Sequence, residues 1–436
     1  MNLGEVFDVA DILENVHRVH QLLDGIARQP EEPSYQLPTE QQSLTTIDHV
    51  TEWSDDFRKL LQDKELSDVD FIVGSQRFCC SKMFLSVRSD VFRNILSSEP
   101  EQSEFNLEGT SAEAFQAFLD YVHSGKLDMT KLKLPMVVRV EELANKYGFR
   151  ELEKDIEDYV KNKGQIDHFS KLYEDVGRLL LNTAFSDVTL LVENESFPAH
   201  KLVLAARCEY FRAMFFHGMR ESSKSKIELV DTPSVAFKAL LTYIYTGKVT
   251  LLDMELIDVV DLLGLANKYA HKELEHGIGL YLKGVLDSEN LCLILTAATV
   301  YSIPELADMC LDRIDSTVER LFASEDFRYL QPESVKMIVA RDSLCASESQ
   351  VFQAVKVWVE ANSHLPKAEL KEVLQQVRLS EIGESELAKF EEQVDLLTDE
   401  EEADIHRKRD LLAFYRFPGK LSHRFMFTTR VHFSAS

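Results

Sequence analysis

Apolar and polar positions follow the same plan in two stretches of the chain. In the clearer one, Val188, Leu190 and Val192 fall on every second residue, the period of a strand with one buried face. Glu193 to Ser196 is a polar turn. Phe197 opens a returning strand that Pro198 is expected to end. Leu202, Ala205, Ala206, Tyr210 and Met214 recur at helical spacing, which predicts a helix over 202–214. Glu221 to Lys226 is polar loop, and Ile227–Leu229 is a third short strand. Phe237, Leu240, Leu241 and Ile244 then sit at i, i+3, i+4 and i+7, one apolar helix face that Gly247 stops as a left-handed C-cap. Ile257, Val260, Leu263, Leu265 and Ala266 begin another helix. The order is strand–strand–helix–strand–helix–helix, an α+β fold with helices clustered against a small sheet.

The plan occurs twice. Leu66–Val73 reads Leu-Ser-Asp-Val-Asp-Phe-Ile-Val, beside Phe-Ser-Asp-Val-Thr-Leu-Leu-Val at Phe185–Val192. Phe78 then matches Phe197, Lys82 matches Lys201, and Arg88 matches Arg207. Phe92-Arg93 matches Phe211-Arg212, Tyr121 matches Tyr243, and Gly125-Lys126 matches Gly247-Lys248. Leu-Ala-Asn-Lys-Tyr is verbatim at Leu143–Tyr147 and Leu265–Tyr269. A period of roughly 120 residues exceeds the ~20–50 of a solenoid unit, so this is a duplicated domain.

From about Leu286 the pattern is all helical, through Ala297, Tyr301, Leu306 and Cys310 to Val351, Phe352, Val355 and Trp358. Val6, Val9, Leu13, Val16, Leu23 and Ile26 give residues 1–28 a helical apolar face, expected to dock on the chain's own domain. Gln29 to Gln42 holds Pro30, Pro33 and Pro38 among polar residues and reads as part of a linker. Glu381 to Ile405 is dense in acid and reads as a solvated helical face, followed by His406-Arg407-Lys408-Arg409, a basic helix end.

Charge changes the picture. Against 48 Lys and Arg stand 74 Asp and Glu, a net charge of −26 over 436 residues. Such a surface repels phosphate backbones and anionic membranes at long range, so no nucleic-acid partner is expected. No apolar run reaches the ~20 residues of a membrane span, and no membrane insertion is expected. No secretory signal pattern is visible at the N-terminus. Six cysteines without a C-x-x-C pair argue against a zinc site or disulfide framework, for a reducing compartment: cytoplasmic, with the nucleus possible.

Catalytic chemistry is sparse. Thr246-Gly247-Lys248 resembles the end of a phosphate loop, but Thr242 stands where that loop needs Gly and Val249 where it needs Ser or Thr. A helix C-cap explains the Gly-Lys of both copies. Neither H-E-x-x-H, G-x-S-x-G nor G-x-G-x-x-G occurs. His17 and His20 are one turn apart without a third ligand, and Cys79-Cys80 reads as strand-end packing. No enzyme activity, cofactor or metal is expected.

Phe185–Leu190, Phe-Pro-Ala-His-Lys-Leu-Val-Leu-Ala-Ala-Arg at Phe197–Arg207, Tyr-Phe-Arg-Ala-Met-Phe at Tyr210–Phe215 and Tyr-Ile-Tyr-Thr-Gly at Tyr243–Gly247 resemble a BTB/POZ domain. The first copy is similar but degraded: Cys79-Cys80-Ser81 stands where the second has Pro198-Ala199-His200. The helical segment is similar to the BACK domain of BTB adaptors. The resemblance divides the chain into an N-terminal helix (1–28), a linker (29–55), a degenerate BTB domain (56–165), a BTB domain (170–285), a BACK domain (286–400) and a tail (401–436).

The resemblance implies a non-enzymatic scaffold. BTB domains dimerise, and many bind the N-terminal helices of cullin-3 and recruit substrates to a ubiquitin ligase. Cullin binders often carry a hydrophobic–x–Glu motif after the third helix. Here Met219-Arg220-Glu221 stands there, with Phe215 and Phe216 one turn earlier to extend the patch. Burying Met219 would contribute about 1.5–3 kcal/mol. Copy one has Ser97-Ser98-Glu99-Pro100-Glu101 instead, so copy two alone is expected to engage cullin-3. The Asp and Lys of a BTB pairing groove correspond to Asp187 and Lys201, and to Asp68 and Lys82. Because both copies keep them, the expected assembly is a BTB–BTB homodimer or an intramolecular pseudo-dimer. The unknown substrate protein is assigned to copy one ahead of the N-terminal helix or the tail. The other reading is a BTB scaffold in a signalling, vesicle or transcriptional complex without a ligase.

Overall fold

A computed structural model describes residues 45–162, 166–216, 223–394 and 396–415. The helix expected over 1–28, with His17 and His20, and the tail beyond 415 lie outside the described residues. Residues 42–277 form one compact unit and those from 278 onward belong to another.

In the first unit a short arm, β1 (Thr46–Asp48) and α1 (Val50–Lys59), leads into copy one. Copy one runs β2 (Val69–Val73), β3 (Gln76–Cys80), α2 (Lys82–Arg88), α3 (Asp90–Ser98), β4 (Glu104–Asn106), α4 (Ala112–Ser124), β5 (Lys126–Leu127), α5 (Leu134–Lys146) and α6 (Arg150–Asn162). Copy two repeats the series from its own arm, β6 (Ile166–Asp167) and α7 (Phe169–Gly177). It continues through β7 (Val188–Val192), β8 (Glu195–Ala199), α8 (Lys201–Arg207), α9 (Glu209–Phe216), β9 (Lys226–Leu229), α10 (Ser234–Thr246), β10 (Lys248–Thr250), α11 (Leu256–Lys268) and α12 (Lys272–Gly284).

Each copy has a three-stranded sheet of the same order, β3-β2-β4 and β8-β7-β9. The central strand pairs antiparallel with the second and parallel with the third. Val69, Phe71 and Val73, and likewise Val188, Leu190 and Val192, are buried, as period-2 alternation requires. The α+β class holds, with three corrections. The strand does not end at Pro198: β8 runs on to Ala199, because it is an edge strand and the missing N–H faces no partner. The helix expected over 202–214 is two helices, broken at Cys208, whose extended backbone turns the chain. The linker expected over 29–55 already contains β1 and the start of α1, where Trp53 and Phe57 are both fully buried.

Gly125 and Gly247 end α4 and α10 in the left-handed conformation (φ 71 and 68), and their N–H groups donate to Tyr121 O and Tyr243 O at 2.7 Å. Cys80 is buried, and burial pushes its thiol well up; Cys79 is raised for the same cause, so neither is an activated thiolate. All six cysteines are unpaired.

The second unit is helical: α13 (Leu291–Val300), α14 (Pro304–Ala323), α15 (Pro332–Val339), α16 (Glu348–Ala361), α17 (Lys367–Leu374), α18 (Glu384–Val394) and α19 (Asp399–Tyr415). Trp358 is fully buried and its indole N–H donates to Leu330 O at 2.8 Å. Ser347 and Gln350 form a capping box at the start of α16. The basic residues 406–409 lie on α19, where Lys408 pairs with Asp404 and Arg409 donates to Ile382 O. No helix among the described residues is long and apolar enough to cross a membrane.

Candidate functional site

The arms cross. β1, which leads into copy one, pairs antiparallel with β10 of copy two, with Ile47 opposite Val249. β6, which leads into copy two, pairs with β5 of copy one, with Ile166 opposite Leu127. The N–H of His49 donates to Gly247 O at 2.9 Å and that of His168 to Gly125 O at 2.7 Å. The close approach explains the glycines twice over. A Cβ at Gly247 would meet Trp53 Cβ at 2.8 Å, and one at Gly125 would meet His168 O at 2.9 Å.

Side chains repeat the exchange. His49 Nδ1 and the Tyr243 hydroxyl are hydrogen-bonded at 2.8 Å, and His168 Nδ1 and the Tyr121 hydroxyl at 2.7 Å. His168 Nε2 also meets Asp155 at 2.9 Å, and because a carboxylate only accepts, Nε2 donates there. Arg88 of copy one pairs with Asp175 of the second arm at 2.5 Å, and Arg207 of copy two pairs with Asp56 of the first arm. Burial raises the Asp175 pKa against the pull of Arg88. An ion pair taken this far from water fixes geometry more than it adds stability.

Sequence reasoning missed these arm residues. Their signal was present: Ile47-Asp48-His49 recurs as Ile166-Asp167-His168, and Asp56 matches Asp175 at the same spacing. The expected groove residues do meet, by a different bond. Asp68 accepts from the backbone N–H of Lys82 at 2.6 Å, and Asp187 from that of Lys201 at 2.8 Å. Each aspartate thus caps a helix of its own copy. Lys82 Nζ donates to Pro100 O at 2.6 Å, and Lys201 Nζ lies 5.6 Å from the Phe215 ring centre. Packing around the Asp68 carboxyl raises its pKa against the Lys82 N–H, and the charge of Asp187 adds to the rise.

The motif after α9 is only partly placed. Met219 and Glu221 lie outside the described residues. Phe215 is not a surface residue: it is 5% exposed and stacks on Phe211 at 5.9 Å, so it belongs to the core of copy two. Phe216 is half-buried at the end of the helix. Among the described residues, no cluster of three or more His, Cys, Asp or Glu is placed to hold a metal.

Comparison with known proteins agrees with this architecture. The BTB/POZ domain model matches residues 57–164 and again 176–284, and the BTB And C-terminal Kelch (BACK) model matches 291–392. Human BTB/POZ domain-containing protein 9 is 42% identical over 225 residues, 51% of this chain and 36% of that protein. Its Drosophila melanogaster counterpart is 39% identical over 214 residues, 49% of this chain and 29% of that protein. Human BTB/POZ domain-containing protein 6 is 32% identical over 237 residues, covering 51% and 43%. The chain therefore spans well under two thirds of these relatives. Among solved structures, the BTB domain of zebrafish PATZ1 matches 30% of this chain and 100% of its own at 18% identity, with a TM-score of 0.23.

Proposed function

Because this chain belongs to the BTB/POZ–BACK family, a family of adaptors and scaffolds, we propose that it is a substrate-recruiting adaptor of a cullin-3 ubiquitin ligase. The observation that carries the reading is the difference between the two loops after the third helix. Copy two has Met219-Arg220-Glu221 there, and copy one has Glu99-Pro100-Glu101, after a helix that ends in Ser97-Ser98. A flexible apolar side chain next to an acceptor suits a groove on a partner helix, filling it while the acid sets register. The BACK helices extend the contact, and copy one serves the substrate protein. The chain works without catalytic groups of its own. The six unpaired cysteines support a reducing cytoplasm.

The experiment is binding of the whole chain to an N-terminal cullin-3 fragment, beside Met219→Ala/Glu221→Ala. Submicromolar binding that weakens at least about tenfold in the variant is expected. A folded wild-type chain that does not bind would leave a BTB scaffold without a ligase.

A further inference from the structure

We propose that copy one is a dedicated partner for copy two, so that the face through which BTB domains associate is closed within a single chain and refused to a second chain. The inference rests on the crossed arms and is independent of cullin binding.

Some contacts across this face are two-sided. The His–Tyr bonds, the Arg–Asp pairs and the strand-to-glycine bonds occur once in each direction, so any two copies could make them. Others run one way only. Trp53 of the first arm donates its indole N–H to Ile244 O at 3.2 Å. On the opposite side the matching carbonyl, Val122 O, is taken by Arg88 Nε at 3.0 Å. With Ile244 O held by the indole, Arg207 Nε is buried without a partner. The second arm has Leu172 in place of Trp53 and has no donor to offer. Arg212 of copy two reaches Asp63 at 2.7 Å and Glu65 at 3.0 Å, both on the segment that follows the first arm. The matching residues after the second arm are Asn182 and Ala184. Arg93, the counterpart of Arg212, instead lies over the Phe185 ring at 5.7 Å.

Two second copies from different chains would therefore meet without the indole donor and without an acid for either Arg212. Chain connectivity points the same way. Only residues 163–165 separate α6 from β6, a reach of roughly 10 Å, so the second arm is held to copy one of its own chain.

The test uses the full chain. Trp53→Leu/Asp63→Asn/Glu65→Ala gives the first arm the residues of the second at the one-sided positions. The Leu251 N–H, bonded to Thr45 O, reports docking of the first arm; the His168 N–H, bonded to Gly125 O, reports the second. Hydrogen exchange at Leu251 is expected to quicken at least about tenfold in the variant, with His168 unchanged. Wild-type chains carrying two different tags should remain monomeric and unmixed at tens of micromolar. If the triple variant does not fold, Arg212→Gln should still speed Leu251 exchange several-fold while Arg93→Gln leaves it alone. Unchanged Leu251 protection in the variants, equal effects of the two arginine changes, or a two-chain wild-type dimer would overturn the proposal.

Discussion

Copies one and two share a sheet, a capped helix and a crossed arm, yet their outer surfaces have parted. In copy two, Lys268 Nζ donates to Val230 O at 3.0 Å and Thr232 Oγ1 at 3.3 Å, stitching the loop after β9 to α11; burial there lowers the Lys268 pKa. In copy one the matching Lys146 lines an open cleft of about 200 Å³ with Glu108, Thr110, Ser111 and Arg139. On the same helix of copy one, Val138 is 45% exposed, whereas its counterpart Val260 is fully buried. The difference teaches where a duplicated domain is free to change. Residues that build the sheet or join the copies are held by packing and by buried polar partners. A loop or helix face needed by neither can diverge at little cost to folding.

The sharpest way to break the likeness between the copies is through the two ion pairs that join them. Asp175→Ala would strand Arg88, whose side chain is 1% exposed, as an unpaired buried charge. The expected cost is about 3–5 kcal/mol. Asp56→Ala should cost clearly less, because Asp56 is 24% exposed and water can reach the vacated place beside Arg207. Chemical unfolding followed by Trp53 fluorescence, in a Trp358→Phe background, would measure both. Equal losses would mean that the greater exposure of Asp56 does not soften the loss of its partner.

Acid should weaken each copy through a different histidine. Burial lowers the pKa of His123 to about 4, where it stacks on Phe84 in copy one. Burial, aided by nearby Arg207, lowers that of His271 in copy two to about 4. An exposed histidine titrates near 6.5. Between those values the unfolded chain binds protons that the folded chain refuses, so stability is whole above about pH 6.5 and falls as the pH drops toward 4. The loss approaches about 3 kcal/mol per histidine at pH 4. His271→Phe, which copies Phe149 of the first copy, removes a buried Nε2 without a partner. It should flatten part of the pH dependence seen in unfolding midpoints between pH 4 and 7, with His123 and the likewise lowered His200 keeping the rest. A profile identical to wild type would show that His271 is not neutral in the fold.

The residues explain why some of this was legible beforehand. Period-2 alternation at Val188–Val192 and a helical face ended by Gly247 are local signals, and both elements formed as read. The duplication was legible because the Leu, Ala and Tyr of Leu-Ala-Asn-Lys-Tyr are buried in both copies. The crossed arms were not, since pairing β1 with β10 joins residues about 200 positions apart and no local pattern encodes such a partner. Phe215 was misjudged because a short helix with Phe215 and Phe216 adjacent does not say which ring points inward. The break at Cys208 was hidden because apolar residues continue at helical spacing across it.

The smallest effect lies at the rims of the two arm pairings, and it separates charge from shape. Lys248 and Asp48 meet at 2.8 Å, while their counterparts Lys126 and Asp167 are 3.9 Å apart. The hydrogen bond to Asp48 raises the Lys248 pKa. A lysine held in that way adds stability that is present below its ordinary value near 10.5 and disappears only as the pH climbs through the raised one, so it is constant across the neutral range. Both side chains are about half exposed, and screening leaves the pair ~0–1 kcal/mol. Lys248→Ala should therefore slow folding or loosen Leu251 only slightly, with the change vanishing at high salt, and Lys126→Ala should do less still. A larger, salt-insensitive loss at Lys248 would assign its work to the Tyr173 ring, whose centre lies 5.9 Å from Nζ, and to the stem, and not to the exposed pair with Asp48.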